Sequence, residues 1–338
     1  MNDELRIIPL SRHPREVSRF LKVSYGIYDG DPHWVAPLLL DLKKVFTDAN
    51  PLFDHARMQL WIASRNGRDV GRIAGIVDEA HCKLAGRREA FFGFFECVND
   101  AEVSRRLFAA VQQWAAGERC HGLLGPMNPT TNDECGLLIE GFQYPPRVMM
   151  NHNPPYYEGL LTGWGLTKAK DLYAWWFDTD NERLHTWMER VRRVEQRCRA
   201  VIRPFDMNNF ESEIERCAKV YAATRYDQWA FIDLTPAEFR YFAKRLAQFA
   251  RPEMVLIAEL DGKAVGFSIA VPDFNEAIRP LNGRLTSWGM PIGAVRLFQR
   301  LRQVRIARVM VLGLIPGYRH RGIAEQMIYR TIDHGVGR

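Results

Sequence analysis

The chain has 338 residues, 47% of them hydrophobic and 25% charged, with a formal net charge of +6; this length suits two domains and this composition an ordinary globular protein. No apolar run approaches the roughly 18 residues of a membrane span, and the N-terminus lacks the apolar core of a signal peptide. The six cysteines form no C-x-x-C pair, so we expect a cytoplasmic protein with reduced thiols, no disulfide framework and no metal site.

The first 180 residues predict alternating strands and helices. A strand at 6–10, one or two helices and a hairpin at 61–78 are followed by further elements. These are a strand at 91–96, a helix at 103–117, a strand at 122–128, a helix at 154–165 and a closing strand at 167–177. Apolar residues at helical spacing from Leu184 to Val194 then predict an amphipathic connecting helix within 181–199.

An internal repeat divides the chain. Residues 61–78 align with 256–273, and in both a short strand meets an Asn-Gly or Asp-Gly turn typical of a tight hairpin. One offset (262 − 67 = 195) recurs in three residue pairs: Gly67 with Gly262, Pro9 with Pro204, and Trp34 with Trp229. The repeat predicts two copies of one domain, at 1–180 and 200–338.

The second copy continues differently from the first. After its hairpin we expect an inserted amphipathic helix within 290–303, then a strand at 307–315 and a helix at 322–334. Arginines concentrate at 183–203 and 296–308. Solvated helix faces account for them, and an anionic partner is the alternative; few aromatic residues interleave with them, so nucleic acid is not expected.

The stretch after Pro316 has the features of an anion site. Proline ends the ladder of the strand, and Arg319-His320-Arg321-Gly322 leads directly into a helix. The first N–H groups of a helix have no intrahelical partner, and its dipole is positive at that end. Gly322 allows a ligand to approach the backbone closely. A pyrophosphate fits this arrangement.

Here the sequence resembles the GNAT superfamily of acyl-CoA-dependent N-acyltransferases. Their cofactor motif is a strand, V-x-P, a short gap and [RQ]-x-x-G-x-[GA] at the start of a helix; this chain has Leu314-Ile315-Pro316 and Arg319-x-x-Gly322-x-Ala324. The resemblance implies an α/β fold of two GNAT-like domains, each a mostly antiparallel mixed sheet flanked by helices. It implies an N-acyltransferase, expected to be an acetyl-CoA-dependent N-acetyltransferase, with a small-molecule or peptide amine as acceptor.

The same resemblance assigns the cofactor site to the second copy. Strand residues would pair with the amides of pantetheine, and the amides of the loop would hold the pyrophosphate. The residues expected to bind acetyl-CoA are Val311, Leu312, Leu314, Arg319, His320, Arg321, Gly322, Ile323 and Ala324. An ordinary strand-to-helix connection with solvated arginines is the alternative reading of this stretch.

The first copy has no comparable loop. At the matching position Asn99, Asp100 and Glu102 would repel a pyrophosphate, so this copy is expected to bind no CoA. Two polar loops, at 125–136 and 149–159, either line a substrate groove or simply shape tight turns. The groove candidates are Asn128, Asn132, Asp133, Glu134, Asn151, His152, Tyr156 and Tyr157. A metal site from His152 and Asp133 has no support from spacing.

No residue is assigned a catalytic role. The candidate bases are Asp227, Glu259, Asp273 and Glu276, each of which is ordinary as a solvated carboxylate. A non-catalytic acyl-CoA-binding protein and a nucleic-acid-binding module are the alternative functions.

Compared with the first copy, the second lacks about 60 residues after its last helix, so the repeat predicts a truncated chain, an exposed apolar edge strand at 307–315 and a tendency to self-associate. No membrane partner is expected.

Overall fold

The computed structural model describes residues 4–194, 198–224, 229–283, 285 and 292–336, which form two compact units. Unit 1 consists of Met1–Leu172, Ala230–Ile232 and Asn275–Arg300, and unit 2 of Tyr173–Trp229, Asp233–Phe274 and Leu301–Arg338. The predicted domains were contiguous, at 1–180 and 200–338. The structure differs because residues 275–300 belong to unit 1: the side-chain amide of Asn275 donates to the carbonyl of Pro146 at 3.0 Å.

Unit 1 is built on a five-stranded sheet in the order β1-β2-β3-β4-β5, antiparallel except for the parallel pair β4–β5. Its strands are β1 Leu5–Leu10, β2 Ala56–Arg65, β3 Arg68–Asp78, β4 Ala90–Cys97 and β5 Leu123–Leu124, and a separate ladder joins β6 Met127–Asn128 to β7 Glu134–Cys135. Its helices are α1 Pro14–Ile27, α2 Leu39–Lys44, α3 Glu79–Ala85, α4 Ala101–Gly117 and α5 Tyr157–Trp164.

Helices cover both faces of this sheet. Leu107 and Phe108 of α4 pack with Ile73 of β3 in the main buried cluster. The preceding residue, Arg72, points to the other face because side chains alternate along a strand. There its guanidinium donates to the carbonyl of Phe20 on α1 at 3.1 Å. Unit 1 is therefore a helix–sheet–helix sandwich.

Unit 2 has a four-stranded antiparallel sheet in the order β11-β10-β9-β8. Its strands are β8 Val201–Pro204, β9 Val255–Leu260, β10 Lys263–Pro272 and β11 Ala307–Leu314. The remaining α-helices of the described residues are α6 Glu182–Val194, α7 Phe210–Ala223, α8 Pro236–Ala247, α9 Asn275–Ile278, α10 Ile292–Leu301 and α11 Ile323–Val336. Of these, α9 and nearly all of α10 lie in unit 1.

The sheet of unit 2 is also covered on both faces. Phe267 and Ile257 pack against α7 and α8, whereas Leu256 and Val265 pack against Met327 of α11. The predicted connecting helix is α6, which packs against α11. Both predicted hairpins are confirmed as β2–β3 and β9–β10.

The repeat is preserved in strand register. Pro9 is opposite Trp61 in unit 1, and Pro204 is opposite Leu256 in unit 2. The two prolines are 195 positions apart in the sequence (204 − 9 = 195), and so are the two residues opposite them (256 − 61 = 195). The two sheets therefore share one pairing scheme, as the sequence repeat predicts.

The strand predicted at 167–177 is wrong. This stretch has no regular secondary structure, and its large apolar side chains are exposed: Leu172, Tyr173, Trp175, Trp176 and Phe177. A strand needs a neighbour with free backbone groups, and no described strand pairs with it. The strand predicted at 122–128 is interrupted into β5 and β6. Across the described ranges, no helix combines the length and apolarity needed to cross a bilayer.

Candidate functional site

The edge strand of unit 2 contains a bulge. Val311 of β11 is opposite Ile269 of β10, but Val309 is opposite Ala270, so Met310 is the extra residue. A bulge leaves its backbone groups outside the ladder and bends the strand. Among the described residues, no strand pairs with the outer edge of β11. That edge offers N–H and C=O groups to an extended ligand, as in strand addition.

The loop after β11 leads directly to the start of a 14-residue helix. A short turn at Pro316–Tyr318 is followed by Arg319, His320, Arg321 and Gly322, and α11 begins at Ile323. Both His320 (φ 61°) and Gly322 (φ 78°) are left-handed. In the described part of the chain, no carbonyl or side chain accepts from the N–H groups of residues 323–325. These groups can bind an anion.

The space in front of this loop is open. A Cβ built on Gly322 would have no heavy atom within 4 Å, so its glycine is not required by packing against the protein. Arg319, His320 and Arg321 are exposed, and the Arg321 guanidinium lies 5.3 Å from the ring centre of Tyr318. The open space at Gly322, hereafter the open cradle, therefore adjoins three free backbone donors, and three exposed cationic or titratable residues precede it in the chain.

The nine residues predicted to bind acetyl-CoA differ in how exposed their side chains are. Leu314 is 9% exposed and Ile323 is 2% exposed, and both side chains belong to the core beside α11. Only their backbone groups can reach a ligand. Val311 is half-buried and Leu312 is 39% exposed on the open edge. The predicted residues thus form one continuous path from β11 to the first turn of α11.

The corresponding helix start in unit 1 is closed by a side chain. The carboxylate of Asp100 accepts from the N–H groups of Glu102 at 2.8 Å and Val103 at 3.2 Å, and it pairs with Arg65 at 2.7 Å. Burial opposes ionisation of Asp100, but these bonds hold its pKa below the usual value. A carboxylate already satisfies the donors that an anion would need. The absence of a CoA site from this copy stays a prediction.

The strand edge of unit 1 is also filled. A Cβ on Gly93 of β4 would lie 1.6 Å from the carbonyl oxygen of Met127, so only glycine permits this approach. The side-chain oxygen of Asn128 accepts from the Phe94 N–H at 2.5 Å. Phe94 is left-handed at the irregularity of β4, between the pairs Arg72–Glu96 and Ala74–Gly93. Protein groups therefore take the place that remains open in unit 2.

A buried polar network completes this closure. The Tyr157 hydroxyl accepts from the Cys97 N–H at 2.8 Å and donates to Glu96 at 2.7 Å, and the Tyr156 hydroxyl donates to the Cys97 carbonyl at 2.8 Å. Burial raises the pKa of Glu96, although Arg72 at 3.4 Å opposes this effect. Tyr156 and Tyr157 were candidates for a substrate groove, and here they hold the end of β4.

The other polar-loop candidates also bond within unit 1. Asn151 donates from its side chain to the carbonyls of Cys135 and Gly136. Asn132 lies in a turn where its N–H donates to the Thr130 hydroxyl at 3.2 Å and that hydroxyl donates to Asp133 at 2.9 Å. Glu134 lies in β7. These contacts favour the reading in which the loops shape tight turns. The substrate groove stays a prediction.

One pair in this region had no sequence signal. His152 Nε2 lies 2.7 Å from an Asp31 carboxylate oxygen, and the two residues are 121 positions apart. The His152 side chain is 8% exposed. Desolvation opposes ionisation of Asp31, but the contact with His152 keeps its pKa lowered. Only the folding of residues 28–34 against the 149–153 loop creates this pair; Tyr28 donates to the His152 carbonyl at 3.0 Å.

Two of the four candidate bases are close to arginine side chains. Glu259 accepts from Arg203 at 2.7 Å and from Arg216 at 2.5 Å, and the Arg203 hydrogen bond lowers its pKa. A lowered pKa weakens a general base. Asp273 is fully buried, Glu276 lies 3.8 Å from Arg147 in unit 1, and Asp227 lies outside the described residues.

Comparison with known proteins gives two relatives and one fold. The chain is 34% identical to a protein named bacterial ceramide synthase from Caulobacter vibrioides over 93% of this chain and 81% of that one. It is 31% identical to Protein YghO of Escherichia coli over 94% of this chain and 81% of that one. No family model matches the sequence.

Among solved structures, a tandem GNAT protein from the clavulanic acid biosynthesis pathway is similar to this chain. The match covers 99% of this chain and 86% of that protein, with 10% sequence identity and a TM-score of 0.52. The chain therefore has a tandem GNAT fold, as the anion-loop motif and the repeat predicted. The predicted acetyl-CoA-dependent N-acetyl transfer is wrong, because the relative with an activity in its name is a ceramide synthase. The expected small-molecule or peptide amine acceptor stays a prediction.

Proposed function

This chain belongs to the family that contains the bacterial ceramide synthase of Caulobacter vibrioides and YghO of Escherichia coli, and from that relationship we propose that it is a lipid acyltransferase that synthesises a ceramide. A ceramide is a long-chain base joined to a fatty acid by an amide bond. Its synthesis requires an activated acyl donor and a lipid acceptor. The proposed donor is an acyl-CoA bound by unit 2.

The observation that carries this proposal is the continuous open path in unit 2. The bulged outer edge of β11 leads into a loop whose helix start has free N–H groups and an open cradle at Gly322. Pantetheine amides suit the strand edge, since both are extended chains of alternating donors and acceptors. The pyrophosphate suits the helix start, where Arg319 and Arg321 add positive charge.

The bulge gives a second reason to place the acyl group here. Near Met310 the backbone turns away from the ladder with β10, so a backbone N–H can be directed at the thioester carbonyl oxygen. Negative charge develops on that oxygen when the acceptor attacks, and a fixed N–H donor stabilises it. The chain would contribute orientation and electrostatic stabilisation at this point.

The contrast with unit 1 limits the proposal to one donor per chain. Asp100 occupies the helix start of unit 1, and Met127 with Asn128 occupies the edge of β4. We propose that unit 1 contributes shape and acceptor binding, with no second donor site.

The test is an assay for product. The protein is incubated with palmitoyl-CoA and sphinganine, and the lipid amide is detected by mass spectrometry while free thiol is measured. We expect ceramide and thiol in equal amounts, with Gly322→Ala reducing the rate and Gly262→Ala, on the β9–β10 hairpin, leaving it unchanged. Thiol release from acetyl-CoA with small amines, without ceramide from palmitoyl-CoA, would contradict the proposal.

A further inference from the structure

Two apolar side chains of β11 are exposed on one face of the sheet of unit 2. Val309 is 51% exposed and Leu312 is 39% exposed. Val309 is opposite Ala270 of β10, and Leu312 is opposite Ser268, two residues before Ala270. Side chains two apart along a strand share a face. The extra residue in the bulge, Met310, therefore brings these two side chains of β11 to the same face.

This is the face on which α11 packs. A Cβ built on Gly266, two residues before Ser268 in β10, would lie 3.5 Å from the Met327 sulfur of α11. The residues of β10 on this face are covered, since Ser268 is 1% exposed and Ala270 is 0% exposed. The cover does not extend to the exposed pair on β11. The outer strand therefore keeps a strip of apolar surface that the protein leaves open.

The strip continues across the bulge, where the thioester of the donor is proposed to lie. The proposed pyrophosphate site follows the C-terminal end of β11, so pantetheine would run back along the strand edge from Leu314 towards Met310. Leu312 lies on the pantetheine side of the bulge. Val309 lies beyond it, and Ala307, which is also exposed, follows on the same face.

We propose that Val309 and Ala307 begin a binding surface for the fatty acyl chain of the donor, and that this surface selects long-chain acyl thioesters. Beyond the thioester an acyl chain has no hydrogen-bonding groups, so it gains stability only by removing apolar surface from water. The strip beyond Met310 offers such surface where the amides of pantetheine have ended. An acetyl group has a single methyl beyond its carbonyl and would leave Val309 in water.

A strand of another protein chain is a poorer occupant of this surface. An added strand pairs through a regular ladder of hydrogen bonds, and the bulge at Met310 interrupts that ladder within β11. Bulges are among the features by which edge strands avoid pairing with other chains. An acyl chain requires apolar contact but no register, so the bulge does not oppose its binding.

This inference rests on the proposed function in one respect, the position of the donor along β11. It is tested by binding of the donor alone, without a lipid acceptor. Chain-length-dependent binding in a protein that forms no ceramide would support the acyl surface and contradict the proposed acceptor. Ceramide formation in a protein whose donor affinity ignores Val309 would overturn the acyl surface and leave the proposed function in place.

The experiment is calorimetric titration with CoA, octanoyl-CoA and palmitoyl-CoA, each kept below the concentration at which it forms micelles. We expect palmitoyl-CoA to bind more than tenfold tighter than CoA, which burial of about two methylene groups would give. Val309→Ser should weaken palmitoyl-CoA binding about fivefold, from the loss of roughly half the burial of a valine side chain. It should leave CoA affinity within twofold.

The matched control is Leu312→Ser, which removes an exposed apolar side chain from the same face on the pantetheine side of the bulge. It should weaken all three ligands by the same factor, and thermal unfolding should show that both variants remain folded. An equal loss for CoA and palmitoyl-CoA in Val309→Ser, or palmitoyl-CoA that binds no tighter than CoA, would overturn the inference. So would a dimer in gel filtration that Val309→Ser dissociates without changing palmitoyl-CoA affinity, because the strip would then be a contact between copies.

Discussion

Gly322 offers the sharpest test of the donor site. Its φ is 78°, and a Cβ at this position would meet no heavy atom of the protein within 4 Å. Gly322→Ala therefore removes no packing. It adds one methyl group to the open cradle in front of the N–H groups of residues 323–325, where the pyrophosphate is proposed to bind. The cost to the folded protein is the left-handed conformation of alanine, on the order of 1 kcal/mol.

The cost to binding is larger. A methyl group between the backbone and a phosphate oxygen lengthens or breaks hydrogen bonds to a charged group, each of which contributes about 1.5–3 kcal/mol. Losing one of them weakens CoA affinity by at least tenfold, or about 1.4 kcal/mol. Arg319→Ala with Arg321→Ala should have a smaller effect, because both side chains are exposed and their charges are screened by solvent.

The assay is calorimetric titration with CoA, accompanied by thermal unfolding. Gly262→Ala is the matched control: φ is 75° at this hairpin position, and its Cβ would also lie in open space. Both variants should lose similar stability, and only Gly322→Ala should lose affinity. Unchanged affinity in Gly322→Ala, or an equal loss in Gly262→Ala, would refute the assignment of the pyrophosphate to this loop.

Three further predictions concern stability and stoichiometry. Asp100→Ala should lower the free energy of unfolding by about 1 kcal/mol through loss of the helix cap, while calorimetry still gives one CoA per chain; two sites would contradict the reading of unit 1. Tyr157→Phe should cost about 1–3 kcal/mol in urea unfolding, because it leaves Glu96 and a backbone N–H without their buried partner; an unchanged midpoint would show that the network is not needed. Arg203 lowers the folded-state pKa of Glu259 below its usual value of 4.5. The ionised Glu259 therefore stabilises the folded protein fully above pH 4.5, and this contribution is lost as the pH falls through the folded-state pKa. Glu259→Gln should remove about 1.5 kcal/mol at pH 7 and less at pH 3, and an equal effect at both pH values would be inconsistent with this ion pair.

Local sequence determined the elements whose cause is local. Asn66 and Asp261 are left-handed in the two hairpin turns, and asparagine or aspartate before glycine favours that conformation wherever it occurs. The repeat therefore predicted both hairpins and their shared register. The motif after Pro316 likewise predicted the end of the strand and a helix start, because each depends on neighbouring residues alone.

Tertiary structure decided what depends on distant partners. The apolar run at 167–177 has the composition of a strand, but a strand forms only where another strand offers a free edge. Residues 275–300 follow the second hairpin in sequence and yet pack in unit 1, since burial depends on complementary surfaces in space and not on chain order. The contact of Asp31 with His152, the bulge at Met310 and the closure of unit 1 by Met127 arise from the same cause. Each requires backbone segments to meet at a set distance and register, which the residue pattern of one segment cannot specify.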